Sequence, residues 1–149
     1  MSVLSSQIRD TLYLLVHNKL PTKERTFHVG ISNNPYCHTC PGNLSSDLVH
    51  FFCTCVRVKT VWVHLRSILL QIIGIDVSDW KLINLMMPTS KKEKEVVWLL
   101  GNYVVKCWQN LFSNPQNVLN KDEFFGFLKF KYRNDQQGNR ECLSDIPGL

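Results

Sequence analysis

Apolar residues recur along this chain at helical spacing and almost nowhere at strand spacing. Over 5–18, Ile8, Leu12 and Leu15 share one helical face, with Val16 beside them. Pro21 stops that segment, because it cannot continue an interior helical ladder. Thr22 then reads as the N-cap of a short helix, "KERTFHV", closed by Gly30. A turn-rich stretch, "ISNNPY", leads to a second helical stretch that begins at Asp47 with "LVHFFC". Beyond Cys55, "VRVKTVWVHLRSILLQII" places Val58, Val61, Trp62, Leu65 and Leu69 on one face and ends at Gly74. "SDWKLINLMM" is a short helix capped by Ser78 and stopped at Pro88. Ser90 caps a long one, "KKEKEVVWLLGNYVVKCWQNLF", whose positions Val97, Leu100, Val104, Cys107 (or Trp108) and Leu111 predict a wide buried face. A last helix over about 121–133, "KDEFFGFLKFKYR", precedes a tail that reads as frayed from about 134.

The pattern predicts a mainly α fold, with at most a short hairpin around Cys37–Cys40. It divides the chain into a helical domain over 1–74 and a helical carboxy-terminal region over 75–149. A chain of 149 residues, 44% hydrophobic and 11% aromatic, can build a core. Its net charge of +5 is uneven. Residues 1–70 hold seven Lys/Arg (Arg9, Lys19, Lys23, Arg25, Arg57, Lys59, Arg66) against three acids (Asp10, Glu24, Asp47). Residues 71–149 hold ten against nine. The excess favours an anionic partner, nucleic acid first. The mixed run "KKEKE" reads as a solvated first helical turn rather than a nucleic-acid arm. The amino terminus lacks the basic n-region of a secretory signal, and no run reaches the length of a membrane span. These features predict an intracellular, soluble chain, in nucleus or cytoplasm, with no membrane partner and with reduced cysteines.

The stretch "CHTCPGNLSSDLVHFFCTC" then becomes the centre of interest. It packs four cysteines and two histidines into nineteen residues. Cys37-x2-Cys40 is a spacing at which one tight turn aims two sulfurs at one point, and Pro41-Gly42 suits that turn. His50 and Cys55 complete a tetrahedral Cys3His set, the donor set of a closed structural zinc site. On an ideal helix, positions five apart point about 140° from each other. The helix that holds His50 must therefore end or distort before Cys55. Cys53, three residues after His50 on the same helical face, is a rival ligand. Its other reading is a small buried hydrophobe beside Phe51 and Phe52. His38 lies inside the Cys-x2-Cys turn and is expected to point outward. His17, His28 and His64 read as surface or core-edge residues, Cys107 as core, and Cys142 as a free thiol in the tail.

Together these residues resemble a known family. "LVHNKLPTKERTFHVGISNNPYCHTCPGNLSSDLVHFFCTCVRVKTVW" is similar to the zinc-binding domain at the carboxy-terminal end of reverse transcriptases from non-LTR, LINE-type retrotransposons. The shared positions are Asn18, Leu20, Pro21, Thr22, Arg25, Gly30, Ile31, Cys37, Cys40, His50, Cys55 and Trp62. The resemblance places Cys55, not Cys53, at the fourth-ligand position. The chain departs from the family at Val56, where proline is usual, and in "NLSSD", where an acidic run is common.

No enzyme motif accompanies the cluster. The chain has no Asp-Asp pair of the kind that holds two Mg²⁺ in a polymerase, no Gly-rich phosphate loop, no G-x-S-x-G and no H-E-x-x-H. No catalytic residue is assigned. The resemblance implies a structural-zinc (Zn²⁺) module that binds RNA or DNA and has no polymerase activity of its own. Lys19, Lys23, Arg25, Arg57, Lys59 and Arg66 are expected to meet phosphates, and Tyr36 to stack on unpaired bases. Two alternatives stand beside it. One is a zinc-stapled protein-interaction scaffold, in which the helix bearing Phe124, Phe125, Phe127, Leu128 and Phe130 docks a partner or the polymerase body of a retroelement protein. The other is a non-functional retroelement relic.

Overall fold

The computed structural model describes residues 5–74, 91–112, 114 and 116–135. Five α-helices lie in that span: α1 (Ser6–Val16), α2 (Lys23–His28), α3 (Lys59–Ile73), α4 (Lys91–Leu111) and α5 (Lys121–Asp135). A π-helical turn, His50–Thr54, lies between α2 and α3. No strand forms among the described residues, where a single antiparallel bridge pairs Tyr36 with Ser45. The helix expected over "SDWKLINLMM" and the tail from 136, with Cys142, lie outside the described residues.

Local chemistry explains the boundaries. Ser5 caps α1, its hydroxyl accepting from Ile8 N at 3.4 Å. Thr22 caps α2 in the same way through Arg25 N, and Gly74 closes α3 in the left-handed region at φ 70°. Between α1 and α2, Arg25 Nη1 donates to Asn18 O at 2.6 Å and braces the turn that contains Pro21.

α4 is the central element. It packs against α1, α3 and α5. The predicted face of Val97, Leu100, Val104, Cys107 and Leu111 is buried, and so are Trp98, Leu99, Tyr103 and Val105. A helix that is apolar nearly all round has neighbours on most sides. Asn102 is buried too, and it bonds the backbone of its own helix, Nδ2 to Trp98 O at 2.8 Å. Ile8, Leu12 and Leu15 of α1 join Trp62 and Leu65 of α3 and Phe124 and Leu128 of α5 in one hydrophobic cluster. Each large side chain buried there stabilises the fold by roughly 1.5–3 kcal/mol.

Two expectations are corrected here. Glu95, the last residue of "KKEKE", is buried at 4% exposure, so that run is not wholly solvated. The aromatic helix α5 docks within the chain. Phe124, Phe125 and Leu128 are buried, Phe124 packing on Tyr103 at 5.7 Å and Phe125 on His64 at 4.7 Å. Phe130 remains exposed. The apolar stripe that could have held a partner is largely spent on α3 and α4.

Candidate metal centre

Backbone pairing makes the first half of the site. Cys37 N donates to Leu44 O at 2.8 Å, and Ser46 N to Pro35 O at 2.8 Å. These bonds pinch the chain so that 37–44 forms a closed loop. Gly42 and Asn43 turn it in the left-handed region, at φ 84° and 51°. The Cys37 and Cys40 sulfurs point from this loop toward the second half.

The second half comes from the segment after Asp47. Asp47 Oδ1 accepts from His50 N at 2.7 Å and starts the helical turn. A wider turn follows in place of an α-turn. Cys55 N donates to His50 O at 2.8 Å, an i to i+5 bond, and Cys55 itself is extended at φ −61°, ψ 137°. The π-turn is the distortion that the spacing of His50 and Cys55 demanded, and it brings both onto one side. It forms with Val56 directly after the last cysteine of the cluster, and Val56 N donates to Cys40 Sγ at 3.5 Å, a bond that a proline there could not make.

The outcome is a compact set of donors. One ligand atom from each of Cys37, Cys40, His50 and Cys55 lies within 4.8 Å of the others. The Cys55 sulfur is 3.9 Å from that of Cys37 and 3.7 Å from that of Cys40. Zn–S bonds of about 2.3 Å in a tetrahedron set sulfurs about 3.8 Å apart. A disulfide needs about 2.05 Å, and the three thiols of the cluster are free. His50 is 6% exposed, and its Nε2 is buried with no hydrogen-bond partner among the described residues. Its Nδ1 lies 3.2 Å from Thr54 Oγ1. A buried imidazole nitrogen without a partner is costly unless a cation takes its lone pair. The residues fit a tetrahedral metal ion.

The sulfurs are tuned differently. Burial opposes charge on Cys37, yet the N–H groups of Cys40 and Thr39 and the His50 ring outweigh it and hold the thiol below its ordinary range. Burial also opposes charge on Cys55, but the Arg57 N–H, its guanidinium and its charge, with Cys40, bring that thiol down. Burial pushes Cys40 up to about 11; Cys55 and Cys37 add to the rise, and the Val56 N–H offsets part of it. Cys53 is 2% exposed and lies outside the cluster, among core residues. His38 is exposed and pairs with Lys23, Nζ standing 2.9 Å from Nε2.

The basic residues divide. Lys19 and Lys59 are exposed, and Lys23, Arg25 and Arg66 are half-buried. Arg57 is 7% exposed, which removes it from any outer basic surface. Its Nη1 donates to Leu111 O at 3.1 Å and to Asn114 O at 3.5 Å. Sequence reasoning missed this role, that of Thr54, and that of Tyr103, whose hydroxyl donates to the Phe52 carbonyl. Thr54 was legible as the residue four after a ligand histidine. The carbonyl partners of Arg57 and Tyr103 lie more than fifty residues away and left no local signal. A cavity of about 260 Å³ opens between α2, the loop and the end of α4. Among the described residues, Lys23, His38, Ser46, Arg57 and Phe112 line it, and no acidic residue does.

No helix among the described residues is long and apolar enough to cross a membrane. Comparison with curated proteins and with solved structures finds no match. Residues 2–62, somewhat under half of the chain, match the family described as zinc-binding in reverse transcriptase, and that span holds all four cluster residues and ends at the buried Trp62.

Proposed function

We propose that the chain is a structural-zinc module of a non-LTR retrotransposon reverse transcriptase, that it holds RNA or DNA by the phosphate backbone, and that it is not itself a polymerase. The observation that carries the zinc reading is the donor geometry: sulfurs 3.7 and 3.9 Å apart with a partnerless buried Nε2 beside them. Cys37, Cys40, His50 and Cys55 would hold the ion. Four protein ligands leave it no open position, so the zinc supplies cross-linking rather than Lewis-acid chemistry. It joins the 37–44 loop to the π-turn, two pieces that otherwise share few bonds.

The nucleic-acid reading is supported by the family match and by the acid-free cavity next to the metal centre. Lys19 lies between α1 and α2, and Lys23 and Arg25 lie in α2. Lys59 and Arg66, seven residues apart on α3, share a helical face. Arg57 no longer counts among the phosphate contacts. Such contacts position a backbone and read little sequence. The polymerase body of a retroelement protein is the protein partner this reading implies.

The test is a salt titration of zinc-loaded chain on single-stranded RNA and DNA. Affinity should fall steeply as salt rises, by a log–log slope of about −0.7 per phosphate contact. Lys19→Ala and Lys23→Ala should each make the slope shallower. Binding that ignores salt, or no binding at all, would reject the phosphate-contact reading and leave the zinc reading to metal analysis.

A further inference from the structure

Arg57 is a cation buried two residues from a metal ligand, and it reaches across the fold. Its guanidinium lies beside Cys55 Sγ and 5.8 Å over the Phe51 ring. On its other side Nη1 donates to Leu111 O, at the end of α4, and to Asn114 O beyond it. The Arg57 carbonyl accepts from Leu119 N at 2.9 Å. One residue therefore touches the candidate metal centre, the last turn of the central helix and the segment that leads into α5.

Charge accounts for its place. Arg57 has no carboxylate ion pair among the described residues, and its Nε is buried without a hydrogen-bond partner. Two carbonyl dipoles do not by themselves compensate a buried guanidinium. Three thiolates and a neutral imidazole around a divalent cation leave the centre with one formal negative charge. A loaded centre would thus offer the missing counter-charge beside the guanidinium. The carbonyls of a helix carboxy terminus offer a second attraction for a cation.

We propose that Arg57 is a positioning residue that couples metal occupancy to docking of the carboxy-terminal segment 91–135 on the zinc-binding segment. The loaded centre holds Arg57 inward, and Arg57 holds the end of α4 and the chain up to Leu119. The proposal rests on the metal reading above and is independent of nucleic-acid binding.

Hydrogen exchange on the full-length chain, with and without zinc, tests it, and Co²⁺ substitution reports thiolate coordination. In the wild type, chelation should speed exchange over residues 105–119 by about tenfold or more, together with 37–55. Arg57→Met should exchange fast over 105–119 even with metal bound, retain the cobalt–thiolate band and bind metal several-fold more weakly. Arg57→Lys keeps the charge but lacks the fork that reaches two carbonyls. It should recover metal affinity and recover the 105–119 protection only in part, a split that loss of packing alone would not produce. A wild-type chain without a cobalt–thiolate band overturns the metal reading and this proposal together. A normal band with 105–119 protection indifferent to chelation, or unchanged protection in Arg57→Met, overturns the coupling alone.

Discussion

The Thr54 hydroxyl stands 3.2 Å from His50 Nδ1, one turn further along the same helical segment. With a metal ion on Nε2, Nδ1 would carry the proton and donate it to Thr54 Oγ1. That bond fixes both the tautomer and the plane of the ring. Thr54→Val should weaken zinc binding by roughly tenfold, the lower end of such second-layer effects. Thr54→Ser should retain wild-type affinity. Competition against a chromogenic chelator measures both.

Cys53 and Cys55 separate cleanly by substitution. Cys53 is buried outside the donor set, and Cys55 lies within 4 Å of two other sulfurs. Cys53→Ser should keep one zinc per chain and lose roughly 0.5–3 kcal/mol of stability, the usual cost of an altered core position. Cys55→Ser should lose stoichiometric metal. Metal retained by Cys55→Ser but lost by Cys53→Ser would reverse the ligand assignment.

Zinc binding should release protons. With its pKa pushed up to about 11, chiefly by burial, Cys40 enters the metal-free fold as a neutral thiol at pH 7 and must leave it as a thiolate. Calorimetric titration in two buffers of different ionisation heat should find at least one proton released per zinc, and affinity that rises with pH. The metal-free fold favours neutral Cys40. Its contribution to stability is therefore complete below pH 9.0 and lost as pH climbs through about 11. The stability difference between the metal-free wild type and metal-free Cys40→Ser should shrink across that interval in denaturant melts.

Tyr103 Oη donates to the Phe52 carbonyl and ties the π-turn to the central helix. Its ring is wholly buried, 5.5 Å from that of Trp62. Tyr103→Phe keeps the ring and removes the donor to a buried carbonyl. The expected loss is about 1–3 kcal/mol in urea or thermal unfolding. Wild-type stability in that variant would show that the bond contributes nothing.

Local pattern alone marked the helices of the described residues and the donors. Periodicity, Thr22 and Gly74 are local features, and the turn formed by Cys37-x2-Cys40 is written in neighbouring residues. Contacts between distant residues decided the rest. The π-turn that brings Cys55 rather than Cys53 to the sulfurs depends on how His50–Thr54 meets both the 37–44 loop and Tyr103. Arg57 looks like any surface cation until Leu111 and Cys55 close on it from two sides. The aromatic stripe of α5 reads as a docking face until α3 and α4 cover it. Short-range patterns specify which elements form and where their donors stand. Only tertiary packing settles which apolar and charged groups are withdrawn from water, because burial is a property of the neighbours and not of the residue.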